Sequence, residues 1–180
     1  MARKVFISSG HGGSDTGAIN GSYVERDLTI EFRNLLVREL TALGVKCSID
    51  ADVNALRQTL DFIKGKFLPS DILLDIHFNA GGGTGVEIII PNVSTPFEKQ
   101  LAQRIADVIN TVTGLKKRGG GVKPESETAR KTIGWMRPNS ENILIEMCFI
   151  DNKTDMTVYN LNKYKIAKEI AKTLSDFSKI

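Results

Sequence analysis

The sequence predicts an α/β protein, a single-domain three-layer fold with a twisted, mostly parallel sheet flanked by helices on both faces. Three observations carry that expectation. Short β-rich apolar runs alternate with amphipathic stretches at helical spacing, as strand–helix–strand units require. One run, "DILLDIHF", is apolar enough to be buried on both faces, as strands of a parallel sheet are. The chain has 180 residues, 41% of them hydrophobic and 25% charged, which suits one sizeable core and argues against disorder. With no internal repeat or low-complexity linker, residues 1–180 are read as one domain.

The elements follow in order. "KVFISS" is a short apolar run that ends at glycine, so a buried strand is expected over residues 4–8. Leu28, Phe32, Leu35, Leu36 and Leu40 recur at helical spacing, with Asp27 as the expected N-cap and Gly44 as the stop. "VKCSID" is a second strand. "NALRQTLDFIKGKFL" is a second amphipathic helix closed by Pro69, and "DILLDIHF" and "GVEIIIPN" are the third and fourth strands. In "FEKQLAQRIADVINTVTG", Leu101, Ile105, Val108, Ile109 and Val112 share one side of a helix that ends at Gly114. Residues 116–137 are glycine-rich, charged and aperiodic, and read as a long surface loop with a short strand near Trp135. "ENILIEMCFI" is the last strand and "NKYKIAKEIAKTLSDF" the closing helix.

The chain has only two histidines, and their settings match. His11 stands between glycines just past the first strand, in "FISSGHGGSDTGA". His77 lies at the end of the third strand, before "NAGGGTG". In an open parallel sheet, ligand-binding groups gather at the carboxyl ends of the strands. A lone histidine there is commonly no more than a hydrogen-bonded polar group; two at one sheet edge suit a metal. A catalytic zinc needs a third protein ligand and an open fourth position. Glu25, at the entrance to the first helix, is the best-placed candidate and Asp15, on the loop itself, the second. Asp27 is better used as the cap, and Glu31 on a solvated helix face. In the last strand, Glu146 stands among Ile143, Leu144, Ile145, Met147 and Phe149. Strand alternation groups it with Leu144 and Cys148 rather than with solvated residues. A carboxylate so buried is costly unless it is paired or near a cation, and it suits a general base.

The succession "GHGGSDTGA", "YVERD", "DILLDIHFNAGGGTGVEI", "RGGGVK" and "ILIEMCFIDNKTD" resembles the zinc-dependent N-acetylmuramoyl-L-alanine amidases of the amidase-3 family. These include catalytic domains of many phage endolysins and of bacterial autolysins. The resemblance spans essentially the whole chain and implies one zinc per chain on His11, Glu25 and His77, with Glu146 as the catalytic glutamate. It implies a peptidoglycan hydrolase that cleaves the amide between N-acetylmuramic acid and L-alanine. Asn79 is a tentative substrate contact with an equal reading as a turn residue. Arg118 is a candidate partner for a peptide-stem carboxylate, with a solvated charge run as its alternative. The chain departs from the family at Ser8-Ser9, where many members carry Asp-Pro, and over residues 125–140, where substrate contacts vary.

Other features bound the function. The net charge of +3 permits weak attraction to polyanions without demanding it. There is no Walker A motif and no Gly-x-Gly-x-x-Gly, so a nucleotide fold is not expected. The partner expected is peptidoglycan, with no nucleic acid and no membrane insertion, and the chain is expected to be a monomer. The apolar part of "MARKVFISSG" is too short for a signal-peptide core. An endolysin made in the host cytoplasm and released at lysis is therefore favoured over an autolysin secreted by another route. Cys47 and Cys148 are read as two buried thiols, with a disulfide left open. The rival readings are a zinc deacetylase or carboxypeptidase on the same site, and a wall-binding module with a structural metal.

Overall fold

A computed structural model describes residues 2–180. Strand β1 (Val5–Ser9) leads through a loop and a two-stranded hairpin, β2 (Ile19–Asn20) and β3 (Tyr23–Val24), into helix α1 (Glu25–Ala42). Next come β4 (Cys47–Ile49), α2 (Leu56–Ile63), β5 (Ile72–Asn79), β6 (Val86–Ile90) and α3 (Pro96–Thr113). Strand β7 (Lys117–Pro124) and two 3-10 turns, Glu125–Glu127 and Gly134–Met136, precede β8 (Glu141–Phe149) and α4 (Lys153–Phe177). The sheet order is β4-β1-β5-β8-β6-β7. The first four of these strands run parallel; β6 is antiparallel to β8, and β7 is parallel to β6. The α/β expectation of a mostly parallel sheet flanked by helices is met.

The two faces of the sheet are covered unequally. On one, Val5, Ile7, Ile72, Leu74, Ile76, Ile143 and Ile145 meet the apolar sides of α1, α3 and α4 in the main core. On the other, Phe6, Leu73, Ile89 and Leu144 form a smaller core with Ile63 of α2 and the fully buried Trp135. Alternation along β5 and β8 explains both clusters, because every second side chain crosses to the other face. The smaller cover stops short of the carboxyl ends of β5 and β8, and a cleft opens there.

Several expectations are corrected. Helix α1 begins at Glu25, not after Asp27; Val24 is its N-cap and makes no side-chain cap bond. Asp27 is exposed and paired with Arg26. Residues 117–124 are not loop but an edge strand, and Trp135 lies in a 3-10 turn rather than a strand. Helix α2 is shorter than its periodicity suggested. Helix α4 starts at Lys153, because the Asn152 side chain caps it by accepting from the Thr154 and Asp155 amides. Glu31 is ion-paired with Lys163 rather than simply solvated. Both cysteines are free thiols; Cys148 is buried and Cys47 only half-buried. Among the described residues no helix is long and apolar enough to cross a membrane.

Cys148 does not share a face with Glu146. Pairing runs His77 with Glu146 and then Asn79 with Phe149, so β8 carries one extra residue there. Past that bulge, Cys148 falls into the main core beside Met147. Asp155, fully buried, pins the bulge. Its carboxylate accepts from the amides of Phe149 (3.0 Å) and Gly85 (2.9 Å) and from the Thr84 hydroxyl (2.6 Å). Asp155→Ala would leave three donors unmatched, and a buried unsatisfied group costs about 1–3 kcal/mol. The variant should lose roughly 2–4 kcal/mol in urea unfolding, with the slope unchanged; a loss under ~1 kcal/mol would show that the bulge does not depend on it.

Candidate active site

The loop after β1 is built to lie against a histidine. The Gly10 amide donates to the Ile76 carbonyl at 2.8 Å, which holds the loop against the end of β5. A Cβ on Gly10 would come under 3.0 Å from the His77 ring and from the Ile76 oxygen, so only glycine fits. Gly17 has φ +62, and a Cβ there would collide with both Glu25 and His11. His11 itself has φ 68, in the left-handed region that non-glycine residues seldom take. The first turns of α1 hold this loop: Thr29 Oγ1 donates to the Gly10 carbonyl at 2.7 Å and Arg26 to that of Gly13 at 2.9 Å.

Glu25, the first residue of α1, is the centre of the constellation. One carboxylate oxygen is 3.2 Å from His11 Nε2 and accepts from the Ala18 amide at 2.9 Å. The other is 3.1 Å from His77 Nδ1 and accepts from the Phe78 amide at 3.0 Å. Burial opposes ionisation of Glu25, but its bonds to His11 and His77 outweigh burial and hold its carboxyl well below the usual range. Burial likewise opposes protonation of His77, and the Asp75 and Glu25 carboxylates overcome it. The two imidazoles stand nearly perpendicular, with centroids 5.0 Å apart.

His11, Glu25 and His77 can each offer one ligand atom, all within 4.8 Å of one another. Two imidazole nitrogens and one carboxylate oxygen are a zinc donor set, and three protein ligands leave a fourth position for a reactant. The nitrogens turned away from Glu25 are supported as metal-binding histidines usually are. His77 Nε2 is hydrogen-bonded to the Asp75 carboxylate at 3.1 Å; His11 Nδ1 lies 3.0 Å from that of Asp15, a charge contact whose alignment is not that of a hydrogen bond. The residues present fit the metal that the resemblance implied. Asp15, second choice as a ligand, stands behind a ligand instead.

Glu146 lies beside His77 across the β5–β8 ladder and opposite Glu87 of β6. Its Oε2 is buried and has no hydrogen-bond partner among the described residues. Burial pushes its carboxyl up to about 7; the charges of Glu25 and Glu87 add to the rise, and His77 opposes it. A cation at the triad would draw it down again. A carboxyl poised near neutrality suits proton transfer.

A cleft of about 550 Å³ joins these groups. Its walls include His11, Glu25, His77, Asn79 and Glu146. Asn79 lines the cleft, and its side chain accepts from the Ala80 amide, as a turn residue does, and donates to Glu87 at 3.0 Å. Arg118 is not among the lining residues. Its Nε donates to Glu87 at 3.0 Å, and its guanidinium lies 4.8 Å from the centroid of the Phe149 ring. The sequence reading passed over Asp75 and Arg130, both of which line the cleft. Asp75 was discoverable, since it precedes His77 by two in a strand and so shares its face. Arg130 gave no periodic signal.

The family model described as N-acetylmuramoyl-L-alanine amidase matches residues 5–176. The chain belongs to this family. The amidase CwlM of Bacillus licheniformis is 40% identical to it over 98 residues, covering 52% of the chain and 38% of that protein. The endolysin of Bacillus phage SPP1 is 26% identical over 169 residues, covering 91% and 61%. The chain thus spans under two thirds of either relative. The crystal structure of an N-acetylmuramoyl-L-alanine amidase from Clostridium difficile 630 superposes with a TM-score of 0.73, covering 98% and 94% of the two chains. At 24% identity that likeness concerns the fold alone. The family is generally zinc-dependent, in keeping with the donor set.

Two outcomes follow from this geometry. Gly10→Ala should displace the His77 ring and weaken zinc binding roughly 10–100-fold; competition with a zinc chelator measures it, and unchanged affinity would mean the loop yields freely. Second, the folded-state pKa of Glu146 is raised from 4.5 to about 7, so its ionisation opposes folding at high pH. Metal-free Glu146→Gln should therefore be more stable than metal-free wild type at pH 8. The gap should shrink as pH falls through 7 and close near 4.5. Melting curves across that range decide; a constant gap would mean Glu146 ionises normally.

Proposed function

We propose that this chain hydrolyses the amide between N-acetylmuramic acid and the L-alanine of the peptidoglycan stem. The single observation that carries the reading is Glu146, half-buried with its Oε2 buried and unpartnered among the described residues, beside a His11–Glu25–His77 donor triad in one cleft. Membership of the amidase family supports the choice of bond. His11, Glu25 and His77 hold one zinc, and a zinc ion so held supplies Lewis acidity, acidifying water and polarising a carbonyl. Glu146 takes a proton from the attacking water and delivers it to the departing alanine nitrogen. Asp75 fixes the orientation of the His77 imidazole, and Asp15 places a negative charge beside that of His11. Asn79, tied to Glu87 on the cleft wall, orients the substrate. Arg118 serves only substrate that extends past the cleft over β6 and β7, because Glu87 holds its guanidinium. The substrate partner is the bacterial wall. A role as a phage endolysin, acting from the host cytoplasm at lysis, is in keeping with the likeness to the SPP1 endolysin.

Purified peptidoglycan digested with the zinc-loaded protein should show new L-alanine amino termini, with no new reducing sugar and no free acetate. Glu146→Gln should lower that release by ~10²–10⁴-fold, the usual worth of a positioned general base, while bound zinc stays near one per chain. Zinc and activity falling together would make Glu146 a ligand. Cleaved glycan, free acetate, or stems shortened only at their far end would replace the amidase reading with another hydrolase.

A further inference from the structure

The cleft is electrically lopsided. Asp15, Glu25, Asp75 and Glu146 line it, and Arg130 is the one lysine or arginine among the lining residues. A zinc ion at the triad offsets two of those charges locally. Arg130 shares its wall of the cleft with Thr132, Ile133, Gly134 and Trp135.

That wall is fixed. Glu125, buried, accepts from the Ile133 amide at 2.7 Å and is ion-paired with Arg137. Trp135 is fully buried and its Nε1 donates to the Ile143 carbonyl at 3.1 Å. Between these anchors the Lys131 amide donates to the Thr128 carbonyl, and Lys131 takes φ 62, a conformation disfavoured for a side chain-bearing residue. The chain accepts that cost directly beside Arg130. Among the described residues, Arg118, Lys123 and Arg137 each hold a carboxylate, and Arg130 holds none. An exposed guanidinium on a rigid wall, facing a shared cleft and free of an internal partner, is available to a ligand.

We propose that Arg130 is a specificity-determining residue that binds a free carboxylate on the stem residue following L-alanine. The inference rests on the amidase reading and adds to it. Neighbouring residues in an extended peptide lie ~3.3–3.6 Å apart along the chain, so a carboxylate one residue beyond the scissile amide stays within the same cleft. Without Arg130, the lining carboxylates that a zinc ion does not offset would repel that group; with it, a fork of two N–H donors can grip both oxygens.

The test uses two synthetic muramoyl-peptides, alike except that the carboxyl of the residue after L-alanine is free in one and a carboxamide in the other. The zinc-loaded wild type should favour the free acid by roughly 10- to 100-fold in kcat/KM, the range expected of a hydrogen-bonded charge pair. The difference should lie mainly in KM, because the contact is remote from the reacting atoms. In Arg130→Gln the ratio should collapse to near 1, and Arg130→Lys, which keeps the charge but loses the fork, should fall between. A wild-type ratio near 1, or a ratio that Arg130→Gln leaves intact, overturns the proposal while leaving the amidase reading standing. Failure of the wild type to release L-alanine amino termini from either substrate overturns both.

Discussion

The whole site hangs on one buried carboxylate. Glu25 touches both histidines and two backbone amides, so it joins the loop after β1, the start of α1 and the end of β5 at one point. An ionised carboxylate that is only 4% exposed needs such compensation. The positive end of α1 adds to it, since Glu25 opens that helix. A side chain so occupied cannot also cap the helix. The N-cap position falls on Val24, which has no side-chain acceptor, so α1 begins without a side-chain cap bond, against the simple expectation that Asp27 would serve.

A second buried charge supports the same loop from below. Arg33 of α1, 2% exposed, donates to Asp50 at 2.8 Å and to the Ser9 hydroxyl at 3.1 Å, and also pairs with Asp52. Asp50 in turn accepts from Ser8 Oγ at 2.8 Å and from the Ser9 amide. The Ser8 and Ser9 hydroxyls are both used inside this network. Removing one partner of such a pair strands the other charge in the core, which is why a network of this kind is kept or lost as a unit. Ser8 and Ser9 thus underpin the histidine loop through Asp50 and Arg33.

Much of this was legible in the sequence, because strong periodicity and a buried ionisable residue both leave marks. The strands that became β1, β5 and β8, the helix α3 with its Gly114 end, and the meeting of His11, Glu25 and His77 all followed from local patterns. What stayed hidden depends on long-range pairing. Strand β7 has three successive glycines, Gly119 to Gly121, at positive φ, and no alternation to betray it. It exists because β6 offers it an edge, and its register slips between Val86 and Ile88 to absorb the glycines. The bulge that turns Cys148 away from Glu146 is likewise invisible locally; it is held by Asp155, six residues farther on. Arg118, read either as a partner for a stem carboxylate or as part of a solvated charge run, is instead held by Glu87, and only the fold brings that glutamate near.

The unequal cover of the sheet explains how strands that read as wholly buried come to hold polar chemistry. On the heavily covered face, β5 and β8 present Ile72, Leu74, Ile76, Ile143 and Ile145, and no polar group intervenes. On the other face the same strands place Leu73 and Leu144 under Trp135 and end with Asp75, His77 and Glu146. The change falls where the small core ends. Had α2 and the 133–136 segment extended farther, those three residues would have been sealed beneath apolar side chains with nothing to neutralise them. Had they stopped sooner, water would have screened the charges and returned Glu146 toward an ordinary carboxylate. The position of Trp135 therefore sets how much of the sheet edge becomes a desolvated cleft. It does so from a segment with almost no secondary structure of its own, whose anchors are the buried Glu125 and the indole bond to Ile143.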